Sequence, residues 1–188
     1  MHIFIKNKMK KKLSKIIEVP KGIEINLEGN KLTVKGPEGE NKKTFNITNL
    51  IFEKKDNQII MRCEKATKKE KKMMNTISAH IKNMIKGVQK KFEYKLKVCF
   101  SHFPITVEIK ESEAIIKNFL GEKIPRKVKI PGDVEVEADK EIITITSFDK
   151  ELAGQTAANF ETATRIKKKD RRIFQDGIFI TNKDGREM

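Results

Sequence analysis

One pattern of residues occurs twice in this chain, and it constrains the fold more than any other feature. In the segments 20–40 and 104–122, a proline is followed by an apolar-Glu-Ile strand pattern and then by a tight turn. The turns begin at Gly36 and Asn118, and Gly and Asn are the residue types that best tolerate a positive φ. The two turns are therefore expected to be equivalent, and the chain is expected to fold as two copies of one unit.

Apolar periodicity predicts the secondary structure within each copy. Alternation over 23–34 predicts a hairpin, and a further strand is expected at 59–61. Apolar residues three and four apart over 73–85 predict a helix that ends at Gly87, and a second helix is expected over about 150–169. In the second copy, strands are predicted at 96–100, 105–109, 115–116, 128–130, 134–136 and 142–145.

The two copies also end on similar residue pairs, Gly87-Val88 and Gly177-Ile178, and Gly177 is expected to make a turn. The fold class is predicted to be α+β, with two similar duplicated domains, each a small, mostly antiparallel sheet packed with one helix. The expected divisions are a basic N-terminal arm at 1–12, a first repeat at 13–90, a second repeat at 91–181 and a C-terminal tail at 182–188.

The charge of the chain favours a polyanionic partner. Lys and Arg number 41 against 26 Asp and Glu, which gives a net charge of +15 and a pI near 9.7. The excess is clustered, with twelve basic and three acidic residues in 61–97, and six basic residues and one Asp in 165–172. A merely basic, solvated surface is the alternative, but clustering is typical of a phosphate-binding surface. Residues 132–161 hold eight acidic residues and two Lys, so one face is expected to avoid RNA.

The sequence offers no pattern typical of an enzyme, a metal site or a cofactor site. It has no Walker loop, no convergent acidic cluster and no paired general base, which disfavours the alternative of a nuclease or phosphoryl-transfer enzyme. His80 and His102 are isolated from each other and are interpreted as hydrogen-bonded interface histidines, with metal ligands as the disfavoured alternative. Cys63 and Cys99 form no CxxC motif, and no apolar run is long enough to span a membrane, so reduced thiols and a cytosolic setting are expected.

The run Gly36-Pro37-Glu38-Gly39 matches the GxxG loop of a KH domain, which clamps a nucleic-acid backbone between two helices. Here the flanking residues are strand-like, and Pro37 and Glu38 make the loop rigid and acidic. A hairpin turn is therefore the favoured interpretation.

Several separated motifs give the chain a family resemblance. They occur in one order along the sequence: Val34-Lys35-Gly36-Pro37, 83–88, His102-Phe103-Pro104-Ile105, 118–123 and 169–183. With these motifs the chain resembles the universal large-subunit ribosomal protein L6 family, and His-Phe-Pro-Ile together with Asn-Phe-Leu-Gly-Glu-Lys resembles its eukaryotic and archaeal branch. Two positions depart from the family pattern, since Thr162 replaces a Gln and Lys117 replaces an Arg, whose planar fork Lys lacks. Residues 1–8 lie ahead of the usual family start.

The resemblance implies a function. Members of the family fold as two similar α+β domains and bind large-subunit ribosomal RNA (rRNA), without being enzymes. The second domain is expected near the sarcin–ricin loop and the stalk base, beside neighbouring large-subunit and stalk-base proteins and close to the docking site of translational GTPases. A cytoplasmic location, in the large ribosomal subunit, follows. The alternative is another rRNA-binding protein that acts in ribosome assembly.

Three groups of residues are candidates for RNA contact. Cations that leave the end of the second helix can neutralise converging phosphates, and Phe174 is a candidate for base stacking, although a packing role is favoured. Asp170 is interpreted as an orienter of Arg side chains and Asp176 as a turn former. The first group is Lys167, Lys168, Lys169, Arg171, Arg172 and Phe174. The second is Lys117, Asn118, Lys123, Arg126 and Lys127; for Lys123, Arg126 and Lys127, and for Lys129 beside them, a solvated strand face is an equal alternative. The third is Lys68, Lys69 and Lys72 with Lys10, Lys11 and Lys12 of the arm.

Overall fold

The structure is a computed structural model that describes residues 11–45, 50–55 and 57–188. Backbone contacts divide the chain into two units, with the division between Gln89 and Lys90. The candidate Lys10 lies outside the described residues, as does most of the predicted arm. The last two residues of that arm, Lys11 and Lys12, belong to a strand.

The first unit contains six strands and one helix. Its strands are β1 (Lys11–Glu18), β2 (Glu24–Glu28), β3 (Lys31–Gly36), β4 (Gly39–Thr44), β5 (Ile51–Lys55) and β6 (Gln58–Ala66), and they precede helix α1 (Lys68–Gln89). They form two antiparallel sheets, in the orders β1-β6-β5 and β2-β3-β4. The helix buries Ile77, Ile81 and Val88 against the inward residues of β3 and β6.

The second unit repeats this order and extends it. Its strands are β7 (Phe92–Cys99), β8 (Thr106–Lys110), β9 (Glu113–Lys117), β10 (Arg126–Lys129), β11 (Glu135–Asp139) and β12 (Ile142–Ser147), followed by helix α2 (Lys150–Ala163) and strands β13 (Gly177–Lys183) and β14 (Arg186–Glu187). One sheet has the order β10-β9-β8 and the other β11-β12-β7-β13-β14. Phe160 of α2 is fully buried in the core with Leu96 and Ile178.

The topology confirms the duplicated α+β fold. The three-strand sets β1-β6-β5 and β7-β12-β11 are formed by the first, sixth and fifth strands of their units. Each unit adds a three-stranded meander and one helix. Two strands of the second unit, β13 and β14, have no counterpart among the described residues of the first. They take the chain to Glu187, so part of the predicted tail at 182–188 is paired strand.

The two repeat turns are not equivalent in conformation, which corrects the sequence prediction. Asn118 has a φ of 58°, as expected, but Gly36 is not among the residues with positive φ. Gly36 is required for space, because a Cβ there would lie 2.8 Å from both Cγ2 and O of Val88. The Glu38 N–H also donates to the Val88 carbonyl at 3.0 Å, so the turn packs on the end of α1.

The hairpin interpretation of residues 36–39 is confirmed, because Gly36 pairs with Gly39 and both flanks are strands. The KH interpretation is therefore wrong. The prediction that Gly87 ends the first helix is also wrong, since α1 continues to Gln89 with Gly87 buried. Gly177 makes no turn; it opens β13.

Candidate RNA-binding surface

The segment 164–176, which we call the basic loop, connects α2 to β13. All of its basic residues are exposed: Arg165, Lys167, Lys168, Lys169, Arg171 and Arg172. The sequence predicted a helix as far as residue 169, but α2 ends at Ala163. The cations are therefore presented by a loop rather than by the face of a helix.

Thr164 ends α2 and fixes the start of the basic loop. Its buried hydroxyl donates to the Phe160 carbonyl at 3.2 Å and accepts from the Ile178 N–H of β13 at 2.9 Å. One side chain thus bonds the last turn of the helix to the strand that follows the loop. The ends of the loop are held together although the sequence gives Thr164 no obvious capping signal.

Asp170 orders the middle of the loop. Its carboxylate accepts from the Arg172 N–H at 2.9 Å, and its carbonyl accepts from the N–H groups of Ile173 and Phe174 at 3.2 and 3.0 Å. The prediction that Asp170 orients Arg side chains is therefore wrong, because its partners are backbone N–H groups. This is the pattern of an Asx turn, in which an Asp side chain stabilises the turn it begins.

Asp176 anchors the loop to the end of β7. The carboxylate is buried and accepts four hydrogen bonds from two residues, at 3.1 and 2.8 Å from the N–H and Oγ of Ser101 and at 3.2 and 3.0 Å from the N–H and Nδ1 of His102. Burial by itself raises the pKa of this carboxyl, but the hydrogen bonds from His102 and Ser101 outweigh it and lower the pKa from 3.8 to about 2. Asp176 is an anchor and not the predicted turn former.

The two histidines are hydrogen-bonded, as predicted. His102 bonds to Asp176, and the His80 Nδ1 lies 3.3 Å from the Lys43 Nζ. The ring of His102 also stacks on Phe174, with centroids 4.8 Å apart and an angle of 24° between the planes. Since the Lys169 Nζ lies 4.4 Å from the Phe174 centroid as well, Phe174 packs the loop onto its anchor.

Five cations of the basic loop have no side-chain partner in the part of the chain that the structure describes. Neither a hydrogen bond nor an ion pair of the side chain is found for Arg165, Lys167, Lys168, Arg171 or Arg172. Like charges held close together repel one another, which costs folding free energy unless an anion is bound. The arrangement can therefore neutralise several phosphates at one place.

The second group of candidates is mostly ion-paired within the protein. Lys117 pairs with Glu108, and Lys127 pairs with Glu113 at 3.3 Å. The hydrogen bond from Lys117 also lowers the pKa of the Glu108 carboxyl. Lys123 is exposed and has no partner among the described residues, so it alone of these three lysines presents an uncompensated charge.

Arg126 has a structural role, which the sequence did not predict. Its guanidinium donates to both carboxylate oxygens of Glu122 and, at 2.6 Å, to the carbonyl of Ala163, the last residue of α2. The guanidinium also lies 4.3 Å from the ring centroid of the buried Phe119. With its donors used in this way, Arg126 joins the turn after β9 to the end of α2.

Asn118 also has a structural role, since it forms a turn. Its φ of 58° starts the turn, and its Nδ2 donates to the Pro104 carbonyl at 3.1 Å. Leu120 and Gly121 continue the turn with φ of 49° and 75°. This run of left-handed residues explains the Asn and Gly of the motif at 118–123.

The third group of candidates lies in the first unit, at the start of α1. Thr67 and Glu70 form a capping box, in which the Thr67 N–H donates to the Glu70 carboxylate at 2.8 Å and the Thr67 hydroxyl accepts from the Lys69 N–H at 3.3 Å. Their hydrogen bonds lower the pKa of Glu70. The cations Lys68, Lys69 and Lys72 are exposed around this cap, where the helix dipole disfavours positive charge. Lys12 of β1 is also exposed.

The described residues contain no group of three or more His, Cys, Asp or Glu side chains that could hold a metal ion. Within the same residues, no helix is long and apolar enough to cross a membrane. Cys63 and Cys99 are free thiols, the first buried and the second partly exposed.

Comparison with protein families matches both repeats to one model. The model for ribosomal protein L6 matches residues 19–91 and again residues 103–177, so each copy of the duplicated pattern is matched separately. The chain belongs to the ribosomal protein L6 family. The second match ends at Gly177, after the basic loop, and members of the L6 family are structural components of the ribosome rather than enzymes.

Individual L6-family proteins are similar over most of the chain. The "Large ribosomal subunit protein uL6" of Methanobrevibacter smithii is 44% identical over 168 residues, which is 89% of this chain and 94% of that relative. The proteins of the same name from Methanothrix thermoacetophila and Staphylothermus marinus are 44% and 46% identical, covering 89% and 87% of this chain and 95% and 91% of their own lengths. These archaeal relatives confirm the predicted branch of the L6 family.

Sequence reasoning missed four residues that build this surface. Thr164, Ser101 and His102 hold the basic loop at its two ends, and Arg165 adds a cation that was counted in the charge cluster but left out of the candidate site. The His-Phe-Pro-Ile motif was a usable signal for His102, because an isolated motif next to a strand end marks a fixed local contact. No comparable signal marked Thr164.

Proposed function

We propose that this chain is a structural constituent of the large ribosomal subunit in the cytoplasm and that it binds large-subunit rRNA through the basic loop. One observation carries the proposal: five exposed cations, without internal partners among the described residues, lie on a loop that Thr164, Asp170 and Asp176 hold in place. A loop that is already ordered loses little conformational entropy on binding. Membership of the L6 family and the names of the archaeal relatives support the ribosomal assignment.

The finer placement is also part of the proposal. The basic loop contacts the region of the sarcin–ricin loop and the stalk base, and the second unit thereby supports the docking site of translational GTPases. The support is that the motif at 169–183, which carries the family resemblance, includes the second half of the basic loop and β13. Neighbouring large-subunit and stalk-base proteins are the expected protein partners.

The surfaces of the first unit have a lesser role. Lys68, Lys69 and Lys72 share one side of the first turns of α1 because they are one, three and four residues apart. They gather three charges, against five unpaired ones on the basic loop. We assign them, together with Lys12, to secondary contacts with rRNA phosphates.

The experiment that tests the proposal is a crosslinking map of assembled large subunits at nucleotide resolution. Photoreactive groups placed at Lys168 and, separately, at Lys69 give one map for each unit. The proposal expects the Lys168 map to contain the sarcin–ricin loop and the helices next to it. A Lys168 map free of rRNA would contradict it.

The alternative, an rRNA-binding protein of ribosome assembly, is distinguished by the fate of the protein. A structural constituent stays in mature, translating subunits in a one-to-one ratio with rRNA, whereas an assembly protein is present only on precursors. Quantitative mass spectrometry of polysomes and of precursor particles separates the two.

A further inference from the structure

A groove opens beside the basic loop, between the end of α2 and the adjoining ends of β7 and β13. Its volume is about 780 Å³, within the range typical of small-molecule sites. Three aromatic side chains line it, Phe100, Phe174 and Phe179, together with Arg165, Arg171, Thr162 and Gln175. All of these residues belong to the second unit.

The aromatic walls are not explained by phosphate binding. Phe100 and Phe179 are 42% and 40% exposed, although both follow or belong to strands whose neighbouring residues, such as Ile178, are fully buried. Exposed apolar rings in a concave site are typical of ligand contact. The ring of Phe174, which also lines the groove, is already covered by His102 and Lys169, so Phe100 and Phe179 are the rings left for a ligand.

The backbone makes room for one of these rings. A Cβ at Gly177 would lie 3.1 Å from Cζ of Phe179, closer than ordinary van der Waals contact. The absence of a side chain at Gly177 therefore allows the Phe179 ring to lie where it lines the groove. This use of glycine replaces the turn that the sequence predicted for it.

Four polar residues of the groove fit the rest of a nucleotide, while Glu161, which also lines it, adds one exposed carboxylate. Arg165 and Arg171 have no side-chain partner among the described residues and can bind the phosphates on either side of a base. Gln175 donates only one hydrogen bond, at 3.3 Å to the Arg172 carbonyl, so its amide oxygen is left to accept from a base edge. Thr162 is exposed at the rim, with a hydroxyl that can donate or accept.

We propose that this groove takes one unstacked nucleobase of the bound rRNA, which stacks on Phe179 while the two arginines bind its phosphates. The inference rests on the proposed function and adds a base-recognition site to it. Single-stranded bases in RNA loops are commonly bound in this way, by aromatic stacking and hydrogen bonds to the base edges.

The test uses the full chain and an rRNA fragment that contains the sarcin–ricin loop and its adjoining helices. The fragment is made in a series in which each version lacks one base of a single-stranded nucleotide but keeps the phosphate. The proposal expects one abasic position to weaken binding of the unaltered protein about tenfold. The Phe179→Leu variant should bind the intact fragment more weakly than the unaltered protein does, by a similar factor. It should bind that abasic version as tightly as it binds the intact fragment.

A second variant tests whether the groove has to be open, rather than whether the Phe179 ring is needed. Thr162→Met places a longer, apolar side chain at the rim, so it should weaken binding about fivefold or more by filling the groove. Phe103→Leu and Thr106→Met are the matched controls, because they alter an exposed Phe and an exposed Thr of the same unit outside the groove. Both controls should retain the abasic effect, and thermal unfolding checks that each variant folds.

Two results would overturn the inference. One is a flat abasic series, in which no single base changes the affinity of the unaltered protein. The other is a Phe179→Leu variant that still loses affinity at the same abasic position as the unaltered protein. If, in contrast, the unaltered protein bound the fragment no better than an unrelated RNA of equal length, the proposed function itself would fail.

Discussion

The two units share one topology, yet among the described residues only the second carries a loop of exposed cations without partners. In the first unit the chain leaves α1 at Gln89 and passes directly to β7. In the second unit it leaves α2 at Ala163, passes through the basic loop and returns as β13 beside β7. The candidate RNA surface thus lies in the part that the duplication does not share. The common elements supply the core, and the addition after the second helix supplies the proposed function.

The cations outside the basic loop differ from those in it, because many of them are paired with carboxylates. Several lysines outside the basic loop are paired with carboxylates of their own unit, and five of them have a separate carboxylate each, namely Lys42, Lys91, Lys95, Lys117 and Lys127. We call them the ion-paired set. Exposed pairs of this kind add little stability, but each carboxylate cancels a charge that would otherwise attract phosphate. A high net charge by itself therefore does not mark the binding surface.

The largest expected effect concerns assembly. Replacing the five unpaired cations of the basic loop, Arg165, Lys167, Lys168, Arg171 and Arg172, with Gln removes five charges and should abolish stable incorporation into large subunits, while the fold is kept. The same replacement in the ion-paired set should leave incorporation near normal. Quantitative mass spectrometry of purified subunits measures both. Full incorporation of the loop variant would contradict the assignment of the rRNA-binding surface to the basic loop.

The next effect concerns the anchor of the loop. Asp176→Ala leaves the donors of Ser101 and His102 without their acceptor, which should destabilise the second unit by about 3 kcal/mol. The first unit has no such anchor among its described residues, so it should be unaffected. Hydrogen exchange resolved by residue measures the two units separately. Equal loss of protection in both units would show that they do not fold independently.

Acid should affect the second unit through the same carboxyl. The folded pKa of Asp176 is lowered from 3.8 to about 2, so its contribution is fully present above the unfolded value and is lost as the pH falls through the folded value. The shift corresponds to about 2 kcal/mol. Chemical denaturation between pH 5 and pH 2 should show this loss in the unaltered protein but not in Asp176→Asn. A parallel loss in the variant would assign it to other groups.

The two repeat turns each need a glycine, but for different reasons. Gly36→Ala brings a Cβ within 2.8 Å of Val88 and should destabilise the first unit by about 2 kcal/mol through overpacking. Gly121→Val should destabilise the second unit by about 2 kcal/mol for a different reason, because valine is strained at a φ of 75°. Unfolding followed by residue-resolved hydrogen exchange tests both. Loss of protection in the opposite unit would contradict the assignment.

The smallest expected effect concerns the N-terminus. Removing residues 1–10, which keeps β1, takes away three lysines, including Lys10. Binding to the rRNA fragment should weaken slightly, and the slope of log affinity against log salt should flatten by about 0.7 to 0.9 for each phosphate that the shortened chain no longer neutralises. An unchanged slope would mean that these lysines bind no phosphate in that complex.

The sequence predicted the duplicated fold because alternation and helical spacing report which residues face the core. The strands at 96–99 and 142–145 and the helix over 73–85 follow from that pattern alone. It also located the charged loop, since charges remain visible in a sequence. The ends of the helices were missed because single side-chain contacts decide them. Thr164 stops α2 by bonding to β13, fourteen residues away.

The candidate site was predicted less well for the same reason. Whether a lysine is free to bind phosphate depends on a carboxylate that is brought beside it by strand pairing. Glu108 and Lys117 become neighbours only in the β8-β9 hairpin, and Arg126 reaches the end of α2 only in the folded unit. Likewise Gly36 and Gly177 look like turn residues in the sequence, whereas in the structure each makes space for a neighbouring side chain.

The unpaired cations of the basic loop, and not the total charge, are proposed to bind the rRNA. The most direct measurement is the salt dependence of affinity for one rRNA fragment, compared for the unaltered chain, the five-Gln variant of the basic loop and the five-Gln variant of the ion-paired set. Both variants lose the same net charge. The loop variant should flatten the log–log slope by about 0.7 to 0.9 for each phosphate left without its cation, whereas the ion-paired variant should keep nearly the full slope. Equal flattening by the two variants would contradict this proposal.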